Sequence, residues 1–412
     1  MQKVKKVEIS APVGSFESLY AAIKAGADSI YFGIGKLNLR ASSTYNFSLK
    51  DLYKIVKICK ENNIKAYLTV NSIIYDTEIK KMRKLLEKAA EAQIDAIVAT
   101  DIAVMKYANE LKIPVHASTQ LNISNLESVI FFSKYCDAVI LARELDLKKI
   151  KYITKNIKKN NIKGPSGNLV KIEVFIHGAM CMAISGKCYL SLHEKNKSAN
   201  RGECIQVCRR KYRIIDDERN IELLVDNDFI LSPKDLCTIG FLDEIIKAGA
   251  TILKIEGRAR PPEYVYVVTK CYKEAVNAIF NKTFSKEKVL NWLNELKQVY
   301  NKGFWEGHYL GKKFIENSFT EGNLATRKKI FVGKVINYYK KAKVALVLIQ
   351  AYSLKINDEI IITGKTTGVV LTKIHELRDY NGNIIFKACK EQMCTFKIEE
   401  RVRPNDKVYL FK

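Results

Sequence analysis

Short apolar runs recur through the first two thirds of the chain, each followed by a polar turn and an amphipathic stretch. Eight of them read as strands: "VEIS" from Val7, "SIYFG" from Ser29, "AYLTV" from Ala66, "AIVA" from Ala96, "PVHA" from Pro114, "AVILA" from Ala138, "KIEVFI" from Lys171 and "TILKIEG" from Thr251. Between them, stretches such as "FESLYAAIKAGA" and "IKKMRKLLEKAAEA" carry the helical period. The phrase "AGADSIYFG" near the start is echoed by "AGATILKIEG" near residue 250, a helix ending on a glycine cap and dropping into a buried strand. Eight strands alternating with helices predict an α/β fold of the (β/α)8 TIM-like barrel type. A doubly wound open sheet is the alternative. It lacks a phosphate loop, since "GIGKLN" at Gly33 departs from the dinucleotide fingerprint.

The seventh connection is far too long for a simple strand-to-helix loop, and connections of that size are usually functional. Because it follows a strand, it emerges on the C-terminal face of the barrel, where such folds carry their chemistry. The barrel is predicted over residues 1–285, with a cysteine-rich insertion at 177–212. A helix and linker follow at 286–327. Short β-type runs such as "IFVGKVINYY" and "DEIIITG", divided by turns such as "YNGN", then predict a small C-terminal β-barrel domain over 328–412.

Composition adds a partner. The chain has 412 residues and a formal net charge of +25, which suits a polyanion and above all nucleic acid. Lysine is abundant everywhere, so part of that charge is ordinary solvated surface. No run of residues is long and apolar enough to span a membrane, and the opening "MQKVKKVEIS" has no apolar signal core, so a cytoplasmic location is expected. Thiols stay reduced there, and clustered cysteines read as metal ligands or reactive groups rather than disulfides.

In a barrel, residues just past each strand face the active site. Here they are Asn38, Arg40, Asn71, Asp101, Gln120, Asn122, Arg143, Glu144, His177, Glu256, Arg258 and Arg260, every one polar. Arg40, Arg143 and Arg258 are candidate clamps for carboxylates or phosphates, with Asn71, Gln120 and Asn122 as further substrate contacts. Glu256, His177 and Asp101 are the candidates for proton transfer. Four of the ten cysteines, Cys181, Cys188, Cys204 and Cys208, stand in one polar loop with the spacing Cys-x6-Cys-x15-Cys-x3-Cys. An iron–sulfur cluster tolerates such irregular spacing, zinc knuckles match only its second half, and unrelated thiols remain an alternative.

The words "APVGSFESLYAAIKAGADSIYFG", "YLTVN", "IHGAMCMAISGKCYLS", "SANRGECIQVCRRKY", "LSPKDL" and "LKIEGRARPPEYV" resemble the collagenase-like peptidase U32 family across the whole barrel. The resemblance implies a 4Fe-4S cluster on Cys181, Cys188, Cys204 and Cys208. In the similar branch it also implies oxygen-independent hydroxylation of the tRNA wobble uridine to 5-hydroxyuridine, with prephenate, a small dicarboxylate, as co-substrate. A partner paralogue of the same family is a further implied expectation. Other branches act on ribosomal RNA or on quinone precursors, and a chain this basic matches RNA better. Two alternatives stand beside this reading: a collagenase-like peptidase, and an RNA-binding factor holding zinc or a cluster without catalysis. No G-x-S-x-G elbow or H-E-x-x-H helix supports proteolysis, and the chain holds only five histidines.

Overall fold

The computed structural model describes residues 7–42, 47–218, 221–223, 229–320 and 322–412. Eight parallel strands form the barrel: β1 (Glu8–Pro12), β2 (Ser29–Gly33), β3 (Lys65–Val70), β4 (Ala96–Ala99), β5 (Val115–Ala117), β6 (Ala138–Ile140), β7 (Lys171–Gly178) and β8 (Ile252–Ile255). Each pairs with the next in sequence, and β8 closes the ring against β1 through Ile9–Leu253 and against β7 through Leu253–Val174. Apart from lysines at two strand starts, every residue of these strands is buried. That explains why they read as continuous apolar runs rather than alternating ones.

The helices α1 (Phe16–Lys24), α2 (Leu49–Glu61), α3 (Ile79–Glu91), α4 (Ile102–Glu110), α5 (Leu126–Ser133) and α6 (Leu147–Lys159) follow strands β1 to β6 in turn. Their starts are set by side-chain caps: Ser15, Asp101, Asn125 and Asp146 each accept a first-turn amide. At the end of α1, Gly26 takes φ +82° while Ala27 N donates back to Ala22 O at 3.0 Å, which turns the chain straight into β2.

The connection from β7 to β8 carries a short helix α7 (Leu190–Lys195), a strand Asp235–Cys237 antiparallel to β7, and α8 (Leu242–Lys247). After β8 come the long α9 (Pro262–Phe280) and α10 (Lys286–Gln298). The segment expected as a linker instead folds back onto the barrel. Phe304–Trp305 pairs with Asp235–Cys237, and the Tyr309 hydroxyl donates to Phe175 O at 2.6 Å. Its two aromatic residues, buried at Trp305 and Tyr309, are what a free linker would lack.

The C-terminal region is an antiparallel sheet built from β9 (Lys329–Tyr339), β10 (Val344–Ile349), β11 (Glu359–Gly364), β12 (Gly368–Lys373), β13 (Met393–Lys397) and β14 (Lys407–Phe411). Alternation divides its faces. Ile360, Ile362, Val408 and Leu410 join the sheet's own core, whereas Ile361, Val369 and Phe411 pack on Ala21 of α1 and Tyr266 of α9. The two units are fastened by Lys24 Nζ to Val369 O at 3.1 Å and by the Lys329–Glu263 pair at 2.9 Å.

Gly368 sits at this junction with φ +71°, and a Cβ there would lie 2.9 Å from the Ala21 amide. Gly368→Val is therefore expected to lower the urea midpoint by about 2 kcal/mol of stability. Limited proteolysis should then cut around residue 327 first. Unchanged stability and proteolysis would show that the junction yields without strain.

Candidate active site at the barrel mouth

The side chains that face into the barrel lie two residues apart on their strands, as the pleat requires. Tyr67 and Thr69 on β3, with Asn71 beyond it, form one such set. Lys254 on β8, with Glu256 beyond it, forms another, and Glu173 and Phe175 on β7 a third. Together they close a chamber on the C-terminal face, lined also by Tyr31, Arg40, Ser118, Gln120, Arg143 and Arg258. Its empty space is about 440 Å³.

Its electrostatics are dominated by cations. Arg40 Nη2 donates to Glu256 Oε1 at 2.7 Å. Arg258 Nη1 donates to Thr69 Oγ1 at 2.7 Å and to Asn38 Oδ1 at 3.1 Å. Arg143 lies over the Phe175 ring at 4.0 Å, and its Nη1 donates to Ala179 O at 2.9 Å. Lys254 Nζ donates to Glu173 Oε1 at 2.7 Å, below the chamber, and sits 4.0 Å from the Tyr31 ring centre. Burial would raise the Glu256 carboxyl, but Arg40 first, then Arg143 and Arg258, hold it down at about 2. Burial draws Arg258 down to about 10, still charged near neutrality. Glu256 is thus a fixed anion that holds Arg40, and it has no proton to give at neutral pH.

The cysteine loop roofs this chamber. Gly186 comes to within 3.1 Å of Leu39 and 3.2 Å of Gln120 from where a Cβ would stand, and Ser185 joins the lining. Gly202, at φ +78°, packs against the Asn38 backbone, where a side chain has no room. Arg201 reaches back to Ile73 O and the Glu78 carboxylate, and Arg209 Nη2 donates to Met180 O at 2.7 Å. Cys181, Cys188, Cys204 and Cys208 are all free thiols. Burial raises the Cys208 thiol, Arg209 opposes it, and Cys181, Cys204 and Cys188 raise it further, so all four sulfurs share one neighbourhood. Arg40 also feels Cys181, which joins the loop to the cationic floor. Among the described residues, no three His, Cys, Asp or Glu side chains stand close enough to hold a single metal ion.

A second cavity opens on the other side of residues Cys181 to Ser185. Asn122, Arg143, Glu144, Met180, Met182, Ile184, His308, Lys313 and Ile315 line it. It shares Thr119, Arg143 and Ser185 with the inner chamber.

Of the residues expected at the mouth, Arg40, Asn71, Gln120, Arg143, Glu256 and Arg258 meet in the inner chamber, and Asn122 lies in the outer one. Two do not arrive. Asp101 caps α4, its oxygens accepting from Ala103 N and Ile74 N at 2.9 Å each. His177 is turned away by a bulge: pairing skips from Phe175–Lys254 to His177–Ile255. Its ring lies among Tyr264, Tyr272 and Phe304, outside the barrel wall, and burial lowers its pKa to about 3. Lys254 was absent from the expected set. Its signal is a lysine inside an apolar strand, two residues before Glu256 and therefore on the same face.

The sequence model of peptidase family U32 matches residues 14–318. The chain belongs to this family. The U32 chain is 52% identical over 408 residues to a protein named collagenase from Porphyromonas gingivalis, covering 99% of this chain and 98% of that one. It is 29% identical over 414 residues to tRNA hydroxylation protein P1 of Bacillus subtilis, covering 98% and 94%. It is 33% identical over 278 residues to the 23S rRNA 5-hydroxycytidine C2501 synthase of Escherichia coli, covering 66% of this chain and 40% of that protein. Among the described residues, no helix is long and apolar enough to cross a membrane.

The buried His177 gives the U32 chain an acid-sensitive element. The unfolded chain takes a proton near the ordinary value of 6.5, whereas the folded one refuses it until about 3. Stability is then full above pH 6.5 and falls as pH drops toward 3, by up to about 1.4 kcal/mol per pH unit. His177→Phe is expected to flatten that limb in urea titrations between pH 6.5 and 4. An equally steep limb in the variant would assign the acid sensitivity to other groups.

Proposed function

We propose that this chain is an RNA-modifying enzyme that hydroxylates a pyrimidine, and that its substrate is the tRNA wobble uridine, converted to 5-hydroxyuridine. The observation that carries the reading is the meeting of a four-thiol loop with an excess of cations at one barrel mouth. A chain of net charge +25 and relatives named for tRNA and rRNA hydroxylation support RNA as the substrate. The cytoplasm, where RNA and reduced thiols coexist, is the expected location.

The four cysteines would hold a 4Fe-4S cluster. Free thiols from one wrapped loop suit it, and a cluster interposes its own iron and sulfide atoms. Its ligands therefore stand farther apart than those of the single ion that this arrangement does not fit. When bound, such a cluster supplies one-electron chemistry and an electrophilic iron. The protein's own groups do the rest. Arg143 and Arg258 offer planar donors to a small dicarboxylate such as prephenate, the oxygen source implied for this branch. Glu256 keeps Arg40 aimed into the chamber, and Lys254 adds a charge beneath it. The roof of the cysteine loop limits water around the bound anion.

The test is nucleoside mass spectrometry of tRNA from a deletion strain complemented with variants. Cys208→Ser and Cys188→Ser should each abolish 5-hydroxyuridine and bleach the colour of anaerobically purified protein. Hydroxylation at the wild-type level by either variant would sink the reading. Arg258→Lys, which keeps charge but loses the planar fork, should raise the half-saturating prephenate concentration about tenfold or more in a reconstituted assay.

The relative named collagenase favours a second reading, a peptidase. Hydrolysis of a peptide needs proton transfer at the scissile bond. His116 is bound to Glu173 at 2.9 Å inside the barrel, and His177 lies outside its wall. Gelatin cleavage by metal-free protein, lost on a single substitution in the inner chamber, would establish this reading instead.

A further inference from the structure

The outer chamber has a different character from the inner one. Met180, Met182, Ile184 and Ile315 give it flat apolar walls, while Asn122 and Glu144 supply a donor and acceptors on one side. Such a lining suits a planar heterocycle with a polar edge more than a small anion. Asn122 is held in the left-handed conformation, φ 52°, which fixes its place at the rim. Arg143 belongs to both chambers, and its Nε is buried without a hydrogen-bond partner. A group entering from either side therefore meets a donor that is still unused.

Two features surround the opening. Phe314 stands between the lining residues Lys313 and Ile315 and is 87% exposed. A phenyl ring so fully in water beside a cavity is a stacking surface without its partner. The N-terminus of α6 is tied to the same rim, Leu147 N donating to Tyr309 O at 3.0 Å next to His308. From there Lys148, Lys151 and Lys155 run down one face of the helix, all exposed and without an acidic partner among the described residues.

We propose that the outer chamber receives an unpaired base of an RNA loop, stacked on Phe314, while Lys148, Lys151 and Lys155 of α6 carry the flanking phosphates. This assignment rests on the RNA-modifying reading and gives it a geometry. The acceptor base and the anionic co-substrate occupy separate compartments that meet at Arg143, beside Cys181. Stacking is tolerant of sequence, so the chamber selects an unpaired, splayed base, and identity is read at Asn122 and Glu144. Duplex RNA, whose bases are stacked on each other, cannot enter.

The full chain is tested by fluorescence anisotropy with two RNAs: a hairpin with an unpaired loop, and a fully paired duplex of the same length. Wild type should prefer the hairpin. Phe314→Ala should weaken hairpin binding about tenfold and leave duplex binding and the salt slope unchanged. The triple variant Lys148→Ala, Lys151→Ala and Lys155→Ala should reduce the slope of log affinity against log salt by about 2. Thermal melts check that these exposed positions leave the fold intact. Wild type that binds neither RNA removes the RNA reading and this assignment together. A hairpin preference that survives Phe314→Ala, or a loss shared equally with the duplex, overturns the chamber assignment alone. Loss of gelatin cleavage in Phe314→Ala with hairpin affinity unchanged places a peptide in the chamber instead.

Discussion

Four cations point into one end of the barrel, and two carboxylates answer them. Arg40 has Glu256 and Lys254 has Glu173, whereas Arg143 and Arg258 rest on carbonyl, hydroxyl and amide oxygens. Burying unmatched charge is costly unless dipoles or a partner answer it. The neutral oxygens of Asn38, Thr69 and Ala179 hold these guanidinium groups in place without neutralising them. The barrel is built around a standing demand for an anion, and its roof, floor and rim are arranged about that demand.

The floor has a second layer that supports the first. Glu173 is held at about 2 because burial, which would raise it, is outweighed by Lys254 and His116. His116 in turn stacks on Tyr67, whose hydroxyl donates to Glu8. Polar groups thus descend the barrel axis in pairs, each carboxylate answered by a cation or a donor. The chamber above inherits fixed side-chain positions from this column.

Much of this was legible in the sequence, for identifiable reasons. Buried parallel strands read as apolar runs, and helix caps such as Ser15 and Asp146 mark their own starts. Six of the polar residues chosen by their place after a strand do meet in the inner chamber, because β-strand alternation and barrel topology fix that geometry. What failed to show was local. Asp101 looked free because a side chain that caps its own helix is indistinguishable in sequence from one facing substrate. His177 looked inward because a bulge leaves no mark in a period-two pattern. The segment around Trp305 and Tyr309 looked like a tether because its contacts are made with residues far away in the chain.

The bulge in β7 has a consequence for how this family can vary. One surplus residue, Ile176, stands between Phe175 and His177, and the first cluster-loop cysteine comes only four positions after His177. Losing a single codon there would restore regular pairing, swing the imidazole to the interior, and drag Cys181 one rung along the wall, off its place above Arg40. The lengthy excursion that follows can absorb insertions and deletions at its far side, but this short step before it cannot. Lineages of such enzymes should therefore differ freely in the excursion while keeping the count between barrel and first sulfur constant.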